Sequence, residues 1–90
     1  MKPAFENKYP KIEPKKNLQG EVLLIQDIRK DVKTPFGEAT IYEAIRESDG
    51  TTVAFTGGTV LDKQELERND KITLRKVRGK QSDYWIAEQA

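Results

Sequence analysis

Three sets of residues in this sequence are of types that do chemistry. The first is acidic. Asp27, Asp31, Glu38, Glu43 and Glu47 crowd one stretch of the chain. Two converging carboxylates can hold a cation or divide the work of acid and base, yet no spacing here brings a particular pair together. The chain has no His and no Cys. It therefore lacks the commonest general base, the commonest transition-metal ligand and any thiolate, and a nucleophilic triad is absent. Solvated charge is the simpler account of the carboxylates. The expectation is a protein that is not an enzyme, with no catalytic residue, no metal site and no cofactor.

The second set is the stretch FTGGTVLDKQ, residues 55–64. A strand-like run, two glycines, a helix-like run and a lysine are the parts of a phosphate-cradling loop. That loop needs Gly-x-x-x-x-Gly-Lys-Ser/Thr inside a βαβ unit. Here Gly57 and Gly58 are adjacent, Lys63 is followed by Gln64, and the surrounding pattern is β-rich. The stretch reads instead as a sharp corner from a strand into a helix.

The third set is basic and aromatic. Binding a single strand without sequence preference takes a cationic path for the backbone and aromatic faces for the bases. Arg29, Lys30 and Lys33 lead into one loop, Arg46 stands alone, and Lys71, Arg75, Lys76, Arg78 and Lys80 run through another segment. The total charge is only +1, so any basic stripe is local. Phe36, Tyr42, Phe55 and the pair Tyr84/Trp85 are the aromatic candidates. Phe55 reads as core. Tyr42 alternates with Thr40 and Arg46 and reads as exposed. Phe36 reads either as a plug or as a stacking residue. Of Tyr84 and Trp85 one belongs to the core, and Trp85 is taken as the stacking residue.

The elements that must position these groups are short strands. Residues 1–16 hold three of the four prolines and five lysines against two glutamates, and read as an extended basic arm. Residues 17–90 form the domain. LQGEVLLIQDIRKDV reads as one long strand with a bend at Gly20, and KTPFGE as a hairpin loop. EATIYEAIRE is the second strand. Its alternation sets Ala39, Ile41 and Ile45 on one face, and Thr40, Tyr42, Ala44 and Arg46 on the other. Glu43 then falls among the apolar residues, which predicts a bulge nearby or a strand end open to water. SDGT is a tight turn, and TVAFT the third strand with Val53 and Phe55 inward. Thr59 caps a helix running to about Arg68. DKITLRKVRG is the fourth strand with Ile72 and Leu74 inward, KQSD a turn, and YWIAEQ the fifth strand. The fold class is all-β with one short helix, in the order β-β-β-α-β-β. A five-stranded OB-fold barrel has that order.

The run GGTVLDKQELERNDKITLRKVRGKQSDYW resembles the C-terminal half of small OB-fold single-stranded-DNA-binding proteins of bacteriophages, mobile elements and archaea. The likeness is one of pattern over residues 18–90: small residues ending strand three, a short Leu-containing helix, a turn into a basic strand, then an aromatic strand. Where that family has Gly-Asp ahead of the fourth strand, this chain has Asn69-Asp70, and Asn also tolerates the left-handed conformation. The resemblance implies that residues 31–37, 40–56 and 78–83 hold nucleic acid. The expected function is binding of single-stranded DNA with little sequence preference, in replication, recombination or repair. Lys33, Arg46, Arg75, Arg78 and Lys80 would hold phosphates, and Phe36, Tyr42 and Trp85 would stack bases. Replication or recombination proteins and further copies of the chain are candidate partners. The alternatives are a protein-interaction OB module in a larger assembly, or single-stranded RNA binding. No apolar run approaches the roughly 20 residues of a membrane span, no signal peptide opens the chain, and a cytoplasmic location is expected.

Overall fold

The computed structural model describes residues 12–34 and 37–90. A 3-10 turn at Lys15–Asn17 precedes β1 (Leu23–Thr34), β2 (Gly37–Arg46), β3 (Thr52–Thr56), α1 (Thr59–Lys63), β4 (Lys71–Val77) and β5 (Tyr84–Gln89). The strands pair antiparallel in one five-stranded sheet of order β3-β2-β1-β4-β5. The chain is thus mostly β with one short helix. Two expectations are corrected. The sheet is not closed into a barrel, because β3 and β5 are its edges and do not pair. The element order also differs, since a 3-10 turn comes before the first strand.

The reason for the open seam lies on the edges themselves. An unpaired edge exposes backbone donors and acceptors, which must be satisfied or covered. Ile12 bridges Ala54 of β3, and the Glu13 N–H donates to the Ala54 carbonyl at 2.8 Å. The Lys15 ammonium continues along that edge, donating to the carbonyls of Thr56 (2.9 Å) and Gly57 (3.1 Å). On β5, the Gln64 carboxamide imitates a strand. Its Nε2 donates to the Ala87 carbonyl at 2.8 Å, and its Oε1 accepts from the Ala87 N–H at 2.7 Å. Other parts of the chain thus occupy both edges. Of the arm expected over residues 1–16, residues 1–11 lie outside the described residues.

β1 is long and bent. Its register with β2 shifts between Ile25 and Asp27 and again between Arg29 and Val32, where Asp31 takes a φ of 58°. The first shift is the bulge expected near Glu43, although it sits on the partner strand. Only Leu23 and Leu24 pair with β4, and the contact is extended by Ile25, which exchanges backbone bonds of 2.8 Å with Asn69 and Asp70. Asn69 has a φ of 72°, the left-handed conformation its short amide tolerates. The chain turns into β1 at Gly20, whose φ is 80°.

The core is built from Leu18, Leu23, Ile25, Tyr42, Ala44, Val53, Phe55, Leu61, Ile72, Leu74 and Ala87. Val53, Phe55, Ile72 and Leu74 point inward as their alternation predicts. In β2 the main core lies on the other side from the one expected. Tyr42 and Ala44 belong to it, whereas Glu43 shares the opposite face with Ile41 and Ile45 and pairs with Arg29 at 3.3 Å. Both faces of β2 carry apolar residues, so alternation alone does not choose between them.

The helix is shorter than expected and is not capped by Thr59. Its N-cap is Gly58, with no side-chain cap bond, and it ends at Lys63. Two residues on, Glu65 has a φ of 54°, which no helix can absorb. A helix of one turn is not stable alone. Leu61, buried in the core, and Gln64, clamped to β5, hold this one in place.

Candidate nucleic-acid interface

Two aromatic pairs face different fates. Tyr42 and Phe55 stack at 5.3 Å between ring centroids with an interplanar angle of 16°. Tyr42 is only 2 % exposed, which corrects the expectation that it stands free to stack on a base. Its hydroxyl donates to Asp62 Oδ1 at 2.8 Å. Burial raises the Tyr42 pKa above the ordinary phenol range, and the bond to Asp62 and that carboxylate's charge raise it further. The ring is a core component with its polar end anchored.

The second pair lies at the start of β5. Tyr84 is 37 % exposed, while Trp85 is half-buried and packs against the core. The adjacent residues face opposite sides of the sheet, and Trp85 shares the core side with Ala87. The expected assignment of roles is therefore adjusted: Trp85 is partly core, and Tyr84 is the more open ring. Both line a groove of about 390 Å³ in the seam between the β3–α1 corner and β5. Gly57, Gly58, Thr59 and Val60 form its other wall, and Lys15 also lines it. Burial lowers the Lys15 pKa, an effect that the charge of Asp62 partly offsets. Ala87 turns its N–H and C=O outward to Gln64, so the two-residue repeat of the strand turns those of Trp85 outward as well, toward the seam.

The expected phosphate contacts divide into two kinds. Arg46 is held by Asp49, with Nη2 to Oδ2 at 2.8 Å and Nε to Oδ1 at 3.1 Å, and it also bonds Thr51 Oγ1. These contacts close the turn around Gly50, and those from Arg46 and Thr51 hold Asp49 well below the usual carboxylate range. Arg75 pairs with Glu88 at 3.0 Å. Lys33, Arg78 and Lys80 are exposed and make no ion pair among the described residues. Arg78 and Lys80 belong to the loop that ends in Ser82 and Asp83 at the groove, and Tyr84 packs close to Gly79 between them. Asp83 is partnered by Lys76 at 3.5 Å.

The two free clusters are not brought together. β4 runs antiparallel to β1, so the β4–β5 loop leaves the sheet beyond the end where β1 begins. Lys33 is at the end where β1 finishes. Leu23 and Lys33 are separated by roughly 30 Å of strand at about 3.3 Å per residue. The sequence groups basic residues by type, but antiparallel pairing sends them to opposite ends. Phe36 lies outside the described residues. Sequence reasoning weighed Tyr84 against Trp85 and chose Trp85 as the stacking residue; it missed Gly58 and Lys15 as groove residues.

Comparison of the chain with protein-family models, with curated proteins and with solved structures finds no match in any of the three. Among the described residues no His, Cys, Asp or Glu side chains gather in a group of three that would hold a metal ion. No helix among them is long and apolar enough to cross a membrane.

Proposed function

We propose that this chain binds single-stranded DNA with little sequence preference, as a binding module of replication, recombination or repair rather than as an enzyme. One observation carries the reading. Tyr84 and Trp85 line an open groove, and the loop that enters it carries Arg78 and Lys80 without ion pairs. Aromatic faces beside unengaged cations are the two ingredients of non-specific single-strand binding. Each stack is worth about 1–3 kcal/mol, so two rings with a few phosphate contacts reach the micromolar range, about −8 kcal/mol. The resemblance of residues 18–90 to small single-stranded-DNA-binding proteins belongs to this proposal, with the sheet left open at its seam. So do a cytoplasmic location and several copies along one strand, because one small domain covers only a few nucleotides.

The test is a titration of the single tryptophan's fluorescence with oligo-dT at several salt concentrations. The expected outcome is quenching, with log K falling linearly in log[salt] by about 0.7 per phosphate contacted. No binding at about 50 mM salt, by fluorescence and by gel shift, overturns the reading.

A further inference from the structure

Glycine has two common reasons to be where it is: a backbone conformation other residues avoid, or a neighbour too close for a Cβ. Gly20, Gly37 and Gly50 have φ values of 80°, 110° and 71°. At Gly57 a Cβ would collide with the Asp62 carboxylate and come within 2.8 Å of the Tyr42 ring, and at Gly79 it would strike the Ser82 carbonyl. Gly58 has neither reason, although as the N-cap of α1 it holds a place that glycine shares with Ser, Thr, Asn and Asp. Its φ is 178°, extended backbone open to any residue, and a Cβ there would meet nothing within 4 Å. The space beside Gly58 is open, and Gly58 lines the seam groove together with Trp85 and Tyr84.

We propose that the seam is a slot for one unpaired base of the bound strand, with Gly58 as the bare wall against which the base lies. This rests on the reading of the chain as a single-strand binder and adds where a base is taken in. A volume of about 390 Å³ is near the lower end of ligand pockets, which begin at about 300 Å³. That suits one nucleotide better than a folded partner. Trp85 supplies aromatic surface on the core side of β5, Tyr84 lines the groove from the strand's other face, and the outward peptide groups of Trp85 offer a donor and an acceptor to a base edge. Arg78 and Lys80, in the adjoining loop, select an occupant that carries negative charge on its backbone. The slot lies between the β3–α1 corner and β5, away from the β2–β3 surface, where Tyr42 is buried.

Gly58→Leu tests this directly, because Gly58 lines the groove and a Cβ there meets nothing within 4 Å. Its far-UV circular dichroism should match that of the wild type, with a urea midpoint only slightly lower, since Gly58 is the N-cap of a one-turn helix. Affinity for a labelled oligo-dT, read by anisotropy, should fall about tenfold, the loss of one base stack. Tryptophan quenching should be absent even at saturating DNA. Tyr84→Ala, at an exposed position, is the second variant and should lose about tenfold if the slot is used. If Gly58→Leu and Tyr84→Ala both bind and quench like wild type, the slot is overturned and surface binding stands. If the wild type itself does not bind, slot and function fall together.

Discussion

The pair Tyr42–Phe55 and the pair Tyr84–Trp85 are made of the same kind of residue and do opposite work. The first is stacked and buried, and its one hydroxyl is tied to Asp62. The second opens on a groove, with Tyr84 more than a third exposed and Trp85 only half-buried. The difference comes from what covers each ring. β2 is flanked by β1 and β3, so the side chains on its core face are covered. β5 is an edge whose outer side is covered at Ala87 by one glutamine, which leaves its first residues beside the seam. Phe55 lies on β3, itself an edge strand, and is buried by its stack on Tyr42 and its place in the core cluster, whereas Tyr84 points to the side of β5 away from that core.

The largest effect that would break this comparison is on stability. Phe55→Ala should cost about 3–5 kcal/mol in urea unfolding, because the ring is fully buried in a packed cluster. Tyr84→Ala should cost well under about 1 kcal/mol, as an exposed substitution. Equal costs would erase the distinction between a closed and an open pair.

A smaller effect concerns the Tyr42 hydroxyl. Tyr42→Phe should cost about 1 kcal/mol through the lost bond to Asp62. It should also change the alkaline limb of stability. The folded pKa of Tyr42 is raised, so its contribution is complete below the unfolded value of about 10. Above that pH the unfolded chain releases a proton that the folded chain keeps, and stability falls as pH rises. The phenylalanine variant should lack that part of the decline. Identical alkaline unfolding curves for the two proteins would show that Tyr42 is not the buried phenol.

The smallest effect is on the salt dependence of the proposed DNA binding. Arg78→Ala and Lys80→Ala should each reduce the slope of log K against log[salt] by about 0.7, one phosphate contact apiece. Arg46→Ala should leave it unchanged, because Asp49 already holds that guanidinium at 2.8 Å. A slope that responds to Arg46 and not to the loop would move the interface to the β2–β3 turn.

Much of the local structure was legible because it depends on neighbouring residues. Asp49-Gly50 marked its turn, Asn69 its left-handed kink, and the alternation of Val53 with Phe55 and of Ile72 with Leu74 marked their inward faces. The site was less legible. Tyr42 read as exposed because its neighbours on that face of β2, Thr40 and Arg46, are polar; Ala44 and the pairing with Phe55 decide otherwise. Trp85 and Tyr84 could not be told apart, since each has an apolar neighbour two residues away or on the next strand. Arg46 and Arg75 read as free cations because their partners, Asp49 and Glu88, are brought to them by a turn and by strand pairing.

The sequence by itself determined a β-rich chain with one short helix, the positions of its turns and the absence of His and Cys chemistry. These follow from residue type and short-range periodicity. Only the tertiary structure decided that the sheet stays open, which face of β2 is core, and that the basic clusters lie at opposite ends of β1. Those outcomes depend on contacts between residues far apart in the chain: Lys15 with Thr56, Gln64 with Ala87, Tyr42 with Asp62. Such contacts have no period along the sequence, and they form only when the chain has folded back on itself.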